Sequence, residues 1–152
     1  MNTDTKNEDD PRRLDIRFST VVNNSQKVLL IFECKKLGTP TSSQATRHRR
    51  SYIDEGIARF VKGSYAPTEP LGFLIAFVEF KTSTAMTSLK QALGKTSIQG
   101  VLNMIKHTNN QYIAEPPNRF ASHALFSTEH VKQINGANVT ETIALYHIPL
   151  TF

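Results

Sequence analysis

A single cysteine, Cys34, is all the thiol this 152-residue chain carries. An internal disulfide is therefore excluded, and such usage fits a reducing cytosol. Mean hydropathy is −0.33, and no apolar run approaches the roughly 20 residues that span a bilayer. The N-terminus, Met1 to Asp10, is polar and acidic where a secretory signal is basic and then apolar. These absences point to a cytoplasmic protein without a membrane segment. Five histidines are present, but no two stand at a zinc-like spacing and no second cysteine joins them. His123, His130 and His147 therefore read as strand or loop residues with ordinary hydrogen bonds. Gly94-Lys95-Thr96 lacks the upstream glycine of a phosphate loop, which argues against nucleotide hydrolysis. No Ser-His-Asp set can be assembled by spacing, and there are neither internal repeats nor low-complexity segments.

The length suits one domain with a real core. Residues 1–13 read as a flexible acidic tail, and 14–152 as the domain itself. The net charge of +5 is unevenly placed. Residues 1–10 carry −3, whereas residues 11–65 carry eleven Lys and Arg against Asp15, Glu33, Asp54 and Glu55, or +7. A basic surface around a few carboxylates suits a polyanionic partner, because neutralising phosphates supplies most non-specific nucleic-acid affinity. The plainer reading of the same pattern is a solvated basic face.

Val28-Leu29-Leu30-Ile31-Phe32 is the run expected of a central strand covered on both faces. It ends in Glu33-Cys34-Lys35, and burying such charges is costly unless they have partners. Alternation puts Glu33 and Lys35 on the face of Leu29 and Ile31. Upstream, Leu14 to Val22 reads as a second strand, joined to the first by a polar turn at residues 23–26. A turn centred on Asn24 pairs Asp15 with Glu33. A turn centred between Asn24 and Ser25 pairs Asp15 with Cys34 and requires a bulge to unite the carboxylates. Cys34 itself reads as a small core residue.

Asp15 followed by Glu33-Cys34-Lys35 resembles the Asp…(Asp/Glu)-x-Lys signature of the PD-(D/E)XK nuclease superfamily, over roughly residues 14–78. The resemblance implies a restriction-endonuclease-like α/β fold of three layers, with a central mixed sheet flanked by helices. It implies Mg²⁺-dependent hydrolysis of phosphodiester bonds, most naturally in DNA, with Mn²⁺ as a substitute cation. Asp15, Glu33 and the backbone carbonyl of Cys34 would hold the metal, and Lys35 would orient or deprotonate the attacking water. Tyr52 to Val61 resembles the helix that follows the active-site hairpin, which makes Glu55 and Arg59 accessory candidates. The alternative for these two is an ordinary i,i+4 surface pair. The chain departs from the family pattern where Leu14 stands in place of the eponymous Pro, and where only fourteen residues precede Asp15 without a helical pattern. That departure leaves open a truncated member, a site completed by a partner subunit or a second copy in a homodimer, or an inactive remnant.

The rest of the chain supplies weaker expectations. Residues 38–50 have no apolar pattern and read as a long exposed loop, whose Arg47, Arg49 and Arg50 are candidate phosphate contacts. Ser51 to Asp54 matches a capping box and predicts a helix start, with Ile53, Ile57, Phe60 and Val61 buried and Gly63 ending the helix. Leu71 to Val78 predicts a central strand parallel to an earlier one. A Met/Leu stripe from Met86 to Ile105, interrupted at Gly94 and Gly100, predicts one kinked helix or two. Residues 119–128 and 143–150 read as strands, and Pro149 suggests an edge. Two other classes compete with the nuclease: a non-catalytic nucleic-acid-binding or interaction module, and an α/β domain in which Asp15, Glu33 and Lys35 form a buried ion cluster.

Overall fold

The computed structural model describes residues 14–22, 26–38, 42–66, 68–79, 81–107, 109–115 and 125–151. The expected tail, the turn residues 23–25 and His123 lie outside them. The fold is α/β, built on a six-stranded mixed sheet in the order β1-β2-β3-β6-β5-β4. Its strands are β1 (Leu14–Val22), β2 (Gln26–Gly38), β3 (Leu71–Val78), β4 (Ile113–Ala114), β5 (Phe126–Ile134) and β6 (Ala137–Thr151). β1 and β2 are antiparallel, β2, β3 and β6 run parallel, and β5 lies antiparallel to β6 and β4.

Between β2 and β3 the chain makes one unbroken helical rod: α1 (Ser42–Ser51), a π-helical turn (Tyr52–Ile57) and α2 (Ala58–Val61). The expected loop over residues 38–50 is thus largely helix. Among its described side chains only Ala45, His48 and Arg49 are partly covered, so no apolar stripe marks it. Ala, Gln and Arg are nonetheless good helix formers, and the buried segment downstream carries the rod. The capping box at Ser51 is not used: Ser51 has helical φ −60° and ψ −38° and makes no side-chain cap. Gly63, at φ 69°, ends the rod as expected.

α3 (Thr82–Leu93) and α4 (Thr96–Val101) complete the helices, so the interrupted stripe is two helices. Met86, Leu89, Leu93 and Leu102 are buried, but Val101 is 68% exposed and does not belong to the core stripe. All of these helices pack on one sheet face, where Ile31, Leu37, Leu74, Ala76, Leu145 and Ile143 meet Ile53, Ile57, Phe60 and Val61. The other face carries a row of aromatic rings across four strands: Phe18, Phe32, Phe73 and Tyr146, at centroid separations of 5.8, 4.6 and 5.7 Å. Among the described residues no second helical layer covers that face.

Two strand expectations shift. β5 begins at Phe126 and runs to Ile134 rather than ending near Thr128. β6 lies between β3 and β5, so Pro149 is not on an edge strand. The Ala144 amide donates to Pro70 O, which by alternation turns residue 149 toward β5. Phe126 pairs with His147 as the last rung among the described residues, so the missing N–H of Pro149 falls past the end of that ladder.

Candidate active site

The β1–β2 register is symmetric about Asn24, and it pairs Asp15 with Glu33 without a bulge. Of the two registers open to the sequence, this one opposes the carboxylate positions directly. Glu33 and Lys35, two residues apart on β2, both turn toward the helices, while Cys34 between them is buried on the opposite face. Lys35 Nζ lies 2.7 Å from Glu33 Oε1, and the two side chains are 9% and 1% exposed. Charges this deep persist only as a pair, because the desolvation cost of either alone is several kcal/mol.

The helical rod brings two more charges to this pair. Glu55 Oε2 is 3.9 Å from Lys35 Nζ, and Arg59 Nη1 is 4.0 Å from Glu33 Oε1. Glu55 and Arg59 thus both face the β2 pair across the helix–sheet interface, each toward its opposite charge. Glu55 is largely exposed and Arg59 less so, so they form the solvent-side rim of the charged cluster, with Glu33 and Lys35 buried beneath them. Arg59 also donates to the Tyr65 hydroxyl. Gly56 makes the approach possible: a Cβ there would stand 3.0 Å from Leu74 Cδ2 and 3.7 Å from Lys35 Cγ.

The basic candidates on α1 divide. Arg50 pairs with Asp54 at 3.2 Å on the exposed side of the helix, and Arg49 donates to Ser88 of α3. Arg47 is exposed. Lys36, next to the site, is paired with Glu79. Among the described residues no group of three His, Cys, Asp or Glu side chains is placed to hold a metal ion; Asp15 enters through its strand register.

Sequence reasoning missed a second polar system nearby. His147 pairs with Leu74 on β3, and Leu74 with Glu33 on β2, so Glu33 and His147 lie in one row about 10 Å apart at two strand spacings. His147 Nδ1 is 3.0 Å from the Tyr52 hydroxyl and its Nε2 is 3.0 Å from Thr128 Oγ1. Thr128 Oγ1 is 2.8 Å from His130 Nε2, whose Nδ1 is 2.9 Å from Leu102 O. Tyr52, Thr128, His130 and His147 are all fully buried. Burial holds His130 neutral, its pKa lowered to about 4 against the bond to Leu102. Burial, with His130 adding to it, lowers His147 to about 3. Burial likewise raises Tyr52.

Those neutral states fix the direction of every bond, since a neutral imidazole has one donor and one acceptor. Leu102 O only accepts, so His130 donates from Nδ1 and accepts at Nε2 from Thr128. Thr128 Oγ1 then accepts from His147 Nε2–H, and His147 Nδ1 accepts from the Tyr52 hydroxyl. Each donor in the chain has its acceptor. A sequence signal did exist: Thr128, His130 and Lys132 alternate with Phe126 on one face of β5, and all four are buried.

Comparison with known proteins leaves the site to be read on its own geometry: no family model, no curated protein and no solved structure matches this chain.

Proposed function

We propose that the chain is a Mg²⁺-dependent nuclease that hydrolyses phosphodiester bonds of DNA, on a restriction-endonuclease-like framework of the PD-(D/E)XK kind. One observation carries the reading: Asp15 and Glu33 oppose each other in register, with the Lys35 ammonium on the Glu33 carboxylate. The donors available, two carboxylates and the Cys34 carbonyl, are all hard oxygens of the kind Mg²⁺ takes, with no imidazole or sulfur among them. The cluster of Glu33, Glu55, Lys35 and Arg59 balances two carboxylates against two cations, and Asp15 stands opposite Glu33 by register. A bound Mg²⁺ would supply Lewis acidity toward a phosphoryl oxygen and a more acidic water.

The remaining roles belong to the chain. Lys35 holds a proton beside Glu33 and offsets negative charge developing on phosphorus. Arg59 and Glu55 at the rim orient the approaching backbone, Arg59 as an anion contact and Glu55 by restraining Lys35. Arg47, with Arg49 and Arg50 behind it, extends a basic helix for further phosphates.

A second reading is favoured by the 1% exposure of Glu33. In it the same residues form a closed ion cluster within a non-catalytic nucleic-acid-binding or interaction module. Cleavage of plasmid and single-stranded DNA with Mg²⁺ or Mn²⁺ separates the two. The nuclease reading expects cleavage that is lost in Glu33→Gln and Lys35→Ala. Intact substrate with the wild-type chain, together with cation-independent DNA binding, refutes it in favour of the second.

A further inference from the structure

The π-helical turn stands where the rod meets the site, and its placement has an identifiable anchor. An i→i+5 turn winds less tightly than an α-turn, so the residues after it arrive in a different phase from that of a continuous α-helix. Tyr52 opens the turn and is fully buried. Its hydroxyl lies 3.0 Å from His147 Nδ1 and 3.5 Å from Leu74 O, both in the sheet row that contains Glu33. Four residues on, Gly56 rests against the Leu74 side chain and the stem of Lys35. Glu55 and Arg59 then reach Lys35 and Glu33. Tyr52 and Gly56 straddle Leu74, so the hydroxyl fixes one end of a short lever whose other end is the rim of the site.

We propose that Tyr52 is a positioning residue: its hydrogen bond to His147 sets the phase of the π-turn and thereby holds Glu55 and Arg59 on the Glu33–Lys35 pair. His147 can serve as a fixed acceptor because Thr128 and His130 hold its tautomer from behind. The alternative acceptor, Leu74 O, is already at the limit of hydrogen-bond distance. The consequence for catalysis rests on the nuclease reading above, but the geometric statement does not.

The test is therefore read on the site itself. Tyr52→Phe removes one oxygen, and Leu93→Ala, a destabilising control, truncates a fully buried side chain of α3 that belongs to neither polar system. Both are compared with the wild type in the full chain at pH 7.5, by NMR of the Lys35 side-chain ammonium and the Glu33 carboxyl carbon. The expected result is that Tyr52→Phe shifts the Glu33 resonance and speeds Lys35 ammonium exchange with water at least 10-fold, whereas Leu93→Ala leaves both near wild type. Equal responses in the two variants, or none in Tyr52→Phe, overturn the proposal and leave Tyr52 a stabilising core residue.

Imidazole ¹⁵N spectra of the wild type give a check that needs no variant. A His147 protonated at Nδ1 rather than Nε2 also overturns the proposal. Where DNA cleavage is present, Tyr52→Phe is expected to lower kcat by about 10²-fold with KM little changed, the scale of a 1 Å misplacement. Where it is absent, the nuclease reading fails and the resonances still decide the role of Tyr52.

Discussion

Acid should unfold this protein earlier than its carboxylates alone would, because two buried histidines refuse protons that the unfolded chain accepts. The ordinary pKa of 6.5 falls to about 4 for His130 and about 3 for His147 on folding. Below pH 6.5 the unfolded state binds more protons than the native state, so stability falls as pH falls, until the native imidazoles themselves protonate. At pH 5 each unfolded imidazole is almost fully charged and each native one is neutral. The difference costs about 2 kcal/mol per histidine, or about 4 kcal/mol for the pair. His48, whose pKa is lowered by burial and then by Lys36 and Arg47, acts in the same direction. A loss of that size is a large share of the 5–15 kcal/mol that holds a domain together. With a urea slope of roughly 2 kcal/mol per molar, the unfolding midpoint should drop by about 2 M between pH 7.5 and pH 5. That window lies above the ordinary carboxylate range, which keeps Asp and Glu largely out of the result. Urea titrations at half-unit pH steps, with histidine titrations by NMR, make the measurement. Midpoints that agree within about 0.5 M across the window, or imidazoles that titrate near 6.5 in the folded chain, would refute the reasoning.

Three further perturbations have definite expectations. Gly72→Ala places a Cβ 2.6 Å from Phe60 Cε1 and 2.8 Å from Leu145 Cδ2; both neighbours are fully buried, so overpacking should cost about 1–3 kcal/mol in chemical denaturation. An unchanged midpoint would mean that Phe60 has room to move. Lys132 is 1% exposed and donates to Ala66 O at 2.9 Å and Glu69 O at 2.7 Å, tying the connector before β3 to β5. Lys132→Met should cost about 2–3 kcal/mol and speed hydrogen exchange of the amides of Ser64, Tyr65, Ala66 and Glu69; unchanged exchange there would remove Lys132 from that role. Glu33→Gln and Lys35→Met, each alone, should destabilise by about 3–5 kcal/mol by stranding a buried charge, while the double variant should recover much of the loss. A double-mutant cycle with strictly additive losses would show that the pair is not coupled.

The parts of the site that sequence reasoning could find are those where a local rule and a chemical need coincide. Glu33 and Lys35 end an apolar strand, and the turn symmetry about Asn24 pairs Asp15 with Glu33, as one of the two readable registers requires. Leu71–Val78 is apolar throughout and lies beside β2 in parallel, as its composition and the intervening helix demand. The helix from residue 42 was not legible because a rod that touches the core with only its far half has no stripe in its near half. Its start was misplaced for a related reason. Ser51 matches a capping motif, but a capping motif only offers a hydrogen bond, and the chain upstream was already helical.

The strand β5 was hidden by the opposite effect. Alternation was present at Thr128, His130 and Lys132, but polar residues at alternate positions ordinarily mark the face toward water. Here that face is buried, and the polar groups satisfy one another or backbone carbonyls. Such an inversion cannot be read one residue at a time, since each group is acceptable inside only when its partner arrives from another element: Tyr52 from the rod, His147 from β6, Leu102 O from the end of α4. The interface between sheet and helices therefore holds two polar systems side by side, separated by Leu74. The charged one sits near the rim, where Glu55 and Arg59 keep contact with water. The neutral one lies deeper, where bonds of fixed direction can be kept only by excluding protons. Its sensitivity to acid is the physical cost of that fixed direction, and stability at low pH and the geometry at Glu33 are tied to the same four side chains.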